Sequence, residues 1–158
     1  MVVLRSGRFV YLLLLLTVLF ATPLHAAESE QKKVVNGVAI YLGVLPAEML
    51  LGPLIDSAGH EMHGGVPAGG YRYHIVVAVF DTQTGARIGN AQVKARVSGS
   101  DRSGPRKKLE PMLFRGTVTY GEYFSMPTSG PYKIEVEIFQ PGKSAPVSTV
   151  FVYRFGKA

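Results

Sequence analysis

The chain has 158 residues, of which 47% are hydrophobic, and its formal net charge is +6 at pH 7. It contains no cysteine, which excludes disulfide bonds and thiolate metal sites and leaves histidine and methionine as the ligands for a soft metal. The basic excess is mild and has no interleaved aromatic residues, so the composition argues against a nucleic-acid partner.

The first 26 residues have the layout of a secretory signal peptide. Arg5 and Arg8 form a basic head, an apolar run covers residues 9–21, and small residues close the segment at Ala26 and Ala27. The apolar run is shorter than the roughly 17–25 residues that a membrane-spanning helix needs. We therefore predict cleavage after Ala26 or Ala27 and a periplasmic protein that meets the membrane only during export.

After the leader, the sequence predicts a loose polar tail over residues 27–33 and one domain over residues 34–158. The length of this second range is typical of a single domain. Seven segments have the composition or alternation of strands and are bounded by turn residues. They cover residues 38–45, 71–80, 91–97, 109–115, 117–126, 132–138 and 147–155. Only residues 46–51 look helical, and we assign Met49 in that segment to packing.

The alternation within these segments separates an inner face from a polar one. Residues 91–97 and 132–138 alternate most clearly, and residues 81–85 (DTQTG) predict an Asx-type turn. We predict an all-β fold, an immunoglobulin-like antiparallel β-sandwich of about seven strands. The predicted core consists of Ile40, Leu42, Val77, Val79, Val93, Val97, Ile134, Val136 and Phe151. The basic residues Arg102, Arg106, Lys107 and Lys108 are interpreted as one solvated loop.

One long glycine-rich loop, residues 53–70, does not fit a hairpin turn. It contains His60, Glu61, Met62 and His63 in succession. Imidazole suits copper, zinc, nickel and iron, and thioether sulfur favours Cu(I). The same residues are equally compatible with a flexible polar loop whose histidines have no role, because so short a spacing is not a specific signature.

Two further donors lie on predicted strands. His74 falls within residues 71–80, and Met112 falls within residues 109–115. Taken alone, a strand histidine and a strand methionine are ordinary core residues. No serine, acid or glycine loop forms a catalytic set, so we predict that the protein is not an enzyme.

Four ordered segments of the chain resemble those of a known family. They are residues 36–43 (NGVAIYLG) followed by Glu48 and Met49, residues 74–79 (HIVVAV), residues 110–112 (EPM), and Tyr120-Gly121 with Met126 and residues 130–134 (GPYKI). In this order they are similar to segments of the periplasmic iron-transport-associated proteins, which accompany inner-membrane iron permeases and bind copper. The resemblance implies an immunoglobulin-like sandwich and a copper site.

The resemblance also implies ligands, position by position. His74 and Met112 stand where the family has a ligand histidine and a ligand methionine. Val76 and Thr119 stand where it has a carboxylate and a second histidine, and neither can replace those ligands well. The site has therefore been lost, or His60, Met62 and His63 supply the missing donors.

Two functional hypotheses follow. The first is a non-catalytic periplasmic accessory protein for copper or iron handling, with an inner-membrane metal permease or another periplasmic protein as its partner. Its metal ligands would be drawn from His60, Met62, His63, His74 and Met112. The second is a metal-free module that binds a partner protein, or a second copy of itself, through the sandwich edge or the 53–70 loop.

Overall fold

The computed structural model describes residues 31–50, 69–114, 116–128 and 130–155. The described chain is built from strands and one short 3₁₀ helix. The strands are β1 Lys32–Val35, β2 Val38–Pro46, β3 Arg72–Asp81, β4 Gln92–Ser98, β5 Ser103–Phe114, β6 Thr117–Ser125, β7 Tyr132–Phe139 and β8 Val147–Tyr153. The all-β prediction is confirmed. The described part of the chain contains no helix long and apolar enough to cross a membrane.

The eight strands form one sheet in the order β1-β2-β3-β6-β5-β4-β7-β8, with antiparallel neighbours throughout. The outer strands β1 and β8 also contact each other, so the sheet is nearly closed and resembles a barrel. The prediction of an immunoglobulin-like sandwich of seven strands was wrong in this respect. The physical reason is β5, whose 12 residues pair first with β4 and then with β6 and so join the two halves.

β1 is the strand that the sequence analysis did not anticipate. It begins at Lys32, inside the range expected to be a loose tail, and pairs along its whole length with β2. The two strands are joined by Asn36 and Gly37, which have φ angles of 50° and 77°. Positive φ at both central residues is typical of the tight turn that matches the twist of a hairpin.

The core is one buried cluster, and every residue of the predicted core belongs to it. No side chain in the predicted core is more than 6% exposed. The buried cluster also contains Leu109, Tyr120, Phe124, Met126 and Tyr132. The predicted Asx turn is present as well, since one carboxylate oxygen of Asp81 accepts hydrogen bonds from the backbone of Gln83 and Thr84. These hydrogen bonds, chiefly those from Thr84, lower the pKa of Asp81.

Two local predictions are corrected. The basic segment is not a solvated loop, because Arg106, Lys107 and Lys108 belong to β5. Arg106 lies beside Glu135 and Glu137 of β7, with N–O distances of 3.0 and 2.7 Å. The predicted helical segment is a 3₁₀ helix, Ala47–Leu50, and Met49 is 67% exposed instead of packed.

Tyr120 supports a stability prediction. This residue is 2% exposed. Its hydroxyl donates a hydrogen bond to the carbonyl of Ile88 and accepts one from the amide of Ala91, both at 3.0 Å. Tyr120→Phe should therefore lower the free energy of unfolding by about 1–3 kcal/mol, because two backbone groups lose their partner. Urea denaturation measures this. The matched control is Tyr41→Phe, at a residue that is 40% exposed. This substitution should change the free energy of unfolding by less than about 0.5 kcal/mol. Equal effects of the two variants would contradict the assigned role of the Tyr120 hydroxyl.

Candidate metal centre

The candidate site lies on the face of β3, β6 and β5 that points away from the core. Ile75 and Val77 of β3 belong to the core cluster, so the alternating side chain of His74 points to the opposite face. Cross-strand pairing places Tyr123 opposite His74, and Thr119 opposite Met112. Paired residues share a face, so His74, Met112 and Gly121 all belong to the outer face of this part of the sheet.

Gly121 separates His74 from Met112. A Cβ atom on residue 121 would stand 2.7 Å from His74 Nε2 and 2.5 Å from Met112 Cε. Both distances are shorter than real Cβ contacts allow. The imidazole nitrogen and the end of the thioether side chain therefore converge on one point, and only the absence of a side chain at Gly121 gives them room.

This part of the outer face is buried although it lies outside the core cluster. His74 is 2% exposed, Met112 is 7% exposed and Tyr123 is 6% exposed. The ring of Tyr123 packs on the imidazole of His74, with 4.7 Å between the ring centroids and 41° between the planes. Burial, and then the Glu122 carboxylate, raises the pKa of Tyr123. Its phenol therefore stays protonated near neutral pH and holds the imidazole by ring contact.

The two substituted positions lie on the same face. Val76 pairs with Gly121, and Thr119 pairs with Met112. The four positions singled out by the resemblance, at residues 74, 76, 112 and 119, are thus brought together by the sheet. Two of them carry metal-binding side chains and two do not.

The other predicted ligands, His60, Met62 and His63, lie outside the described residues. Among the residues that are described, no group of three or more His, Cys, Asp or Glu side chains could hold a metal ion. What the described chain offers next to Gly121 is one imidazole and one thioether, which is the donor pair that suits Cu(I). A complete site of three or four ligands needs donors from elsewhere.

Sequence reasoning missed the roles of Gly121 and Tyr123. Gly121 was noted only as part of the Tyr-Gly element, and Tyr123 was not singled out. A glycine inside a strand is itself a signal, since it often marks close approach of another group. Nothing in the local sequence indicates that Tyr123 would face His74, because that depends on the pairing of β3 with β6.

Comparisons with models of protein families and with curated protein sequences give no match. Solved structures do match. FetP of uropathogenic Escherichia coli, isolated after expression in the periplasm, has a TM-score of 0.58 at 17% identity, with 78% of this chain and 91% of that chain covered. A copper-bound Glu-to-Gln variant of the same protein has a TM-score of 0.56 at 14% identity, with coverage of 78% and 93%.

A protein of the DUF4426 family from Pseudomonas aeruginosa PAO1 has a similar fold. Its TM-score is 0.55 at 12% identity, and 79% of this chain and 96% of that chain are covered. The resemblance expected from the sequence is therefore confirmed as a distant structural likeness. At these identities the likeness establishes the fold and leaves the function to be argued from the site.

Proposed function

We propose that the protein is a non-catalytic periplasmic accessory protein that binds copper, as Cu(I) more readily than Cu(II). His74 and Met112 are the two ligands within the described chain. His60, Met62 and His63 are the proposed source of the remaining one or two. Iron is the alternative cargo, since imidazole also suits iron, but the thioether favours the softer ion.

The observation that carries the proposal is the convergence of His74 Nε2 and the Met112 side chain on Gly121. Core histidines and methionines usually lie within the main apolar cluster, but these two lie on the opposite face and are still almost fully buried. Their placement at two positions implied by the resemblance adds support, as does the fold shared with a protein that is copper-bound in one structure.

Bound copper would supply a redox-active or transferable ion, and this chain's residues would hold it. The proposed leader and the periplasmic expression of the structural neighbour both favour a periplasmic location. An inner-membrane metal permease, or another periplasmic protein that delivers or receives the ion, is the proposed partner.

The second candidate is a metal-free module that binds a partner protein or a second copy of the chain. One observation favours it. β8 is at one end of the strand order and exposes Val150 and Val152, at 48% and 40% of their surface. Neighbouring exposed apolar side chains are typical of protein-binding surfaces.

A competition titration separates the two candidates. The purified protein is titrated with Cu(I), under reducing conditions, against a chromophoric chelator of known affinity. We expect binding of one equivalent, and we expect Met112→Leu to weaken it about tenfold or more, since even residues that only support a ligand contribute roughly 10–100-fold. Leucine keeps the volume of methionine, so stability should change by less than about 1.5 kcal/mol.

Met49→Leu is the matched control, because it removes a thioether that is 67% exposed. It should bind Cu(I) as the wild type does. His63→Ala tests whether the loop contributes a ligand. If the wild type holds Cu(I) no better than Met112→Leu does, the metal hypothesis is wrong and the interaction module replaces it.

A further inference from the structure

A second feature of the molecule lies where β5 changes partner. Residues 103–109 of β5 pair with β4, and residues 110–114 pair with β6. The second half of β6 stays paired with β3 as far as Ser125, whereas the first half of β5 pairs with β4. The second half of β6 and the first half of β5 therefore diverge. The divergence opens the nearly closed sheet and leaves a cavity of about 540 Å³ between the two strands.

The cavity has an apolar wall and a basic rim. Phe124, Tyr132 and Val97 belong to the core cluster and also line the cavity. Arg72 and Arg102 are among its polar lining residues. The volume falls within the roughly 300–1,000 Å³ that is typical of small-molecule sites.

Lys107 is a third basic residue of the lining, but its ammonium group is already engaged. It donates to the carbonyl of Tyr123 at 2.6 Å, lies 3.4 Å from a carboxylate oxygen of Glu122 and stands 5.2 Å from the ring centroid of Phe124. Lys107 thus occupies the gap between the diverging strands and satisfies one backbone group that β5 leaves unpaired.

Arg72 and Arg102 are different. The ion pairs found between described residues use Arg106, Lys107 and Lys108, and neither Arg72 nor Arg102 takes part in one. Arg72 is half-buried, and Asp101 is the one acidic residue among the described lining residues. The cavity therefore combines an apolar wall with an excess of positive charge.

We propose that this cavity binds a small organic anion, a molecule with an oxyanion group attached to a flat apolar body. The guanidinium groups of Arg72 and Arg102 would bind the oxyanion, because the planar fork of arginine matches carboxylate and phosphate oxygens. Phe124, Tyr132 and Val97 would pack against the apolar body. Neither His74 nor Met112, the two proposed copper ligands within the described chain, lines this cavity.

The test uses the metal-free protein in the presence of a chelator, so that its outcome does not depend on copper. ANS, a fluorescent anion with an apolar ring system, is the probe, and benzoate, phenyl phosphate and benzamide are the competitors. We expect ANS fluorescence to rise on binding, and we expect benzoate or phenyl phosphate to displace the probe at concentrations at which neutral benzamide does not. The more effective of the two anions identifies the oxyanion, carboxylate or phosphate.

Variants locate the site. Arg72→Gln combined with Arg102→Gln should weaken binding about tenfold or more, because charge-assisted hydrogen bonds are lost. Ser100→Trp, in an exposed lining residue, should block the cavity without a change of charge. Lys143→Gln, at an exposed residue that does not line the cavity, is the control for loss of a positive charge elsewhere and should bind ANS as the wild type does. Equal binding by all variants, or equal displacement by benzamide, would overturn the proposal.

Discussion

Gly121→Ala is expected to weaken Cu(I) binding by about 100-fold, at the upper end of the range for residues that support metal ligands. The added methyl group would stand 2.7 Å from His74 Nε2 and 2.5 Å from Met112 Cε. The methionine can swing aside, but the imidazole is 2% exposed and is packed against the ring of Tyr123. The methyl group therefore moves the thioether away and forces the imidazole against Tyr123, so both donors are disturbed at once and the effect should exceed that of Met112→Leu.

The same substitution should also cost stability. Inserting a methyl group into a packed site usually lowers the free energy of unfolding by about 1–3 kcal/mol. The stability of the variant is therefore measured separately by urea denaturation. The Cu(I) titration is done without denaturant, after circular dichroism has shown that the variant is folded.

Gly43→Ala provides the matched control. Val76 of β3 pairs with Gly121 of β6 on one side and with Gly43 of β2 on the other. A Cβ atom on residue 43 would meet Val76 at 3.8 Å, which is an ordinary contact. Gly43→Ala should leave Cu(I) binding unchanged. Wild-type Cu(I) affinity in Gly121→Ala would show that His74 and Met112 are not joint ligands.

The pattern of apolar residues was sufficient to predict the core but not the closure of the sheet. Alternation along residues 91–97 and 132–138 identified inward side chains correctly, because the period of a strand is a local property. The joining of the two halves depends on β5, and its first half was interpreted as a loop because of its charges. The charge of Arg106 is matched by Glu135 and Glu137 of β7, which is a relation between distant segments.

β1 could have been predicted from the sequence. Asn-Gly between two apolar-containing segments is a strong short-range signal for a hairpin, and Asn36-Gly37 stands between Val35 and Val38. The polar composition of residues 27–33 outweighed that signal. The lysines of β1 are half-buried, and Lys32 lies 5.4 Å from the ring centroid of Tyr41, so a charged strand was compatible with pairing.

The sequence showed His74 and Met112 as separate donors, and only the resemblance joined them in one candidate site. His74 and Met112 lie on β3 and β5, which are separated in the sheet by β6, and no spacing rule joins two such residues. The resemblance supplied the pair, and the sheet order then explains it, since β6 brings Gly121 between them. The contribution of residues 60–63 stays a prediction, because those residues lie outside the described chain.

The largest loss of stability is expected from Phe151→Ala. Phe151 lies in β8, pairs with Ile134 of β7 and is 0% exposed within the core cluster. Removing a buried phenylalanine ring usually costs about 3–5 kcal/mol, because the transfer energy of the ring is lost and a cavity remains. That is a large share of the roughly 5–15 kcal/mol by which a typical domain is stable.

Urea denaturation should show a much lower midpoint for Phe151→Ala. The control is Val152→Ala, at the next residue of β8, which is 40% exposed. Its free energy of unfolding should fall far less. If Phe151→Ala were no less stable than Val152→Ala, β8 would not close the core as the structure shows.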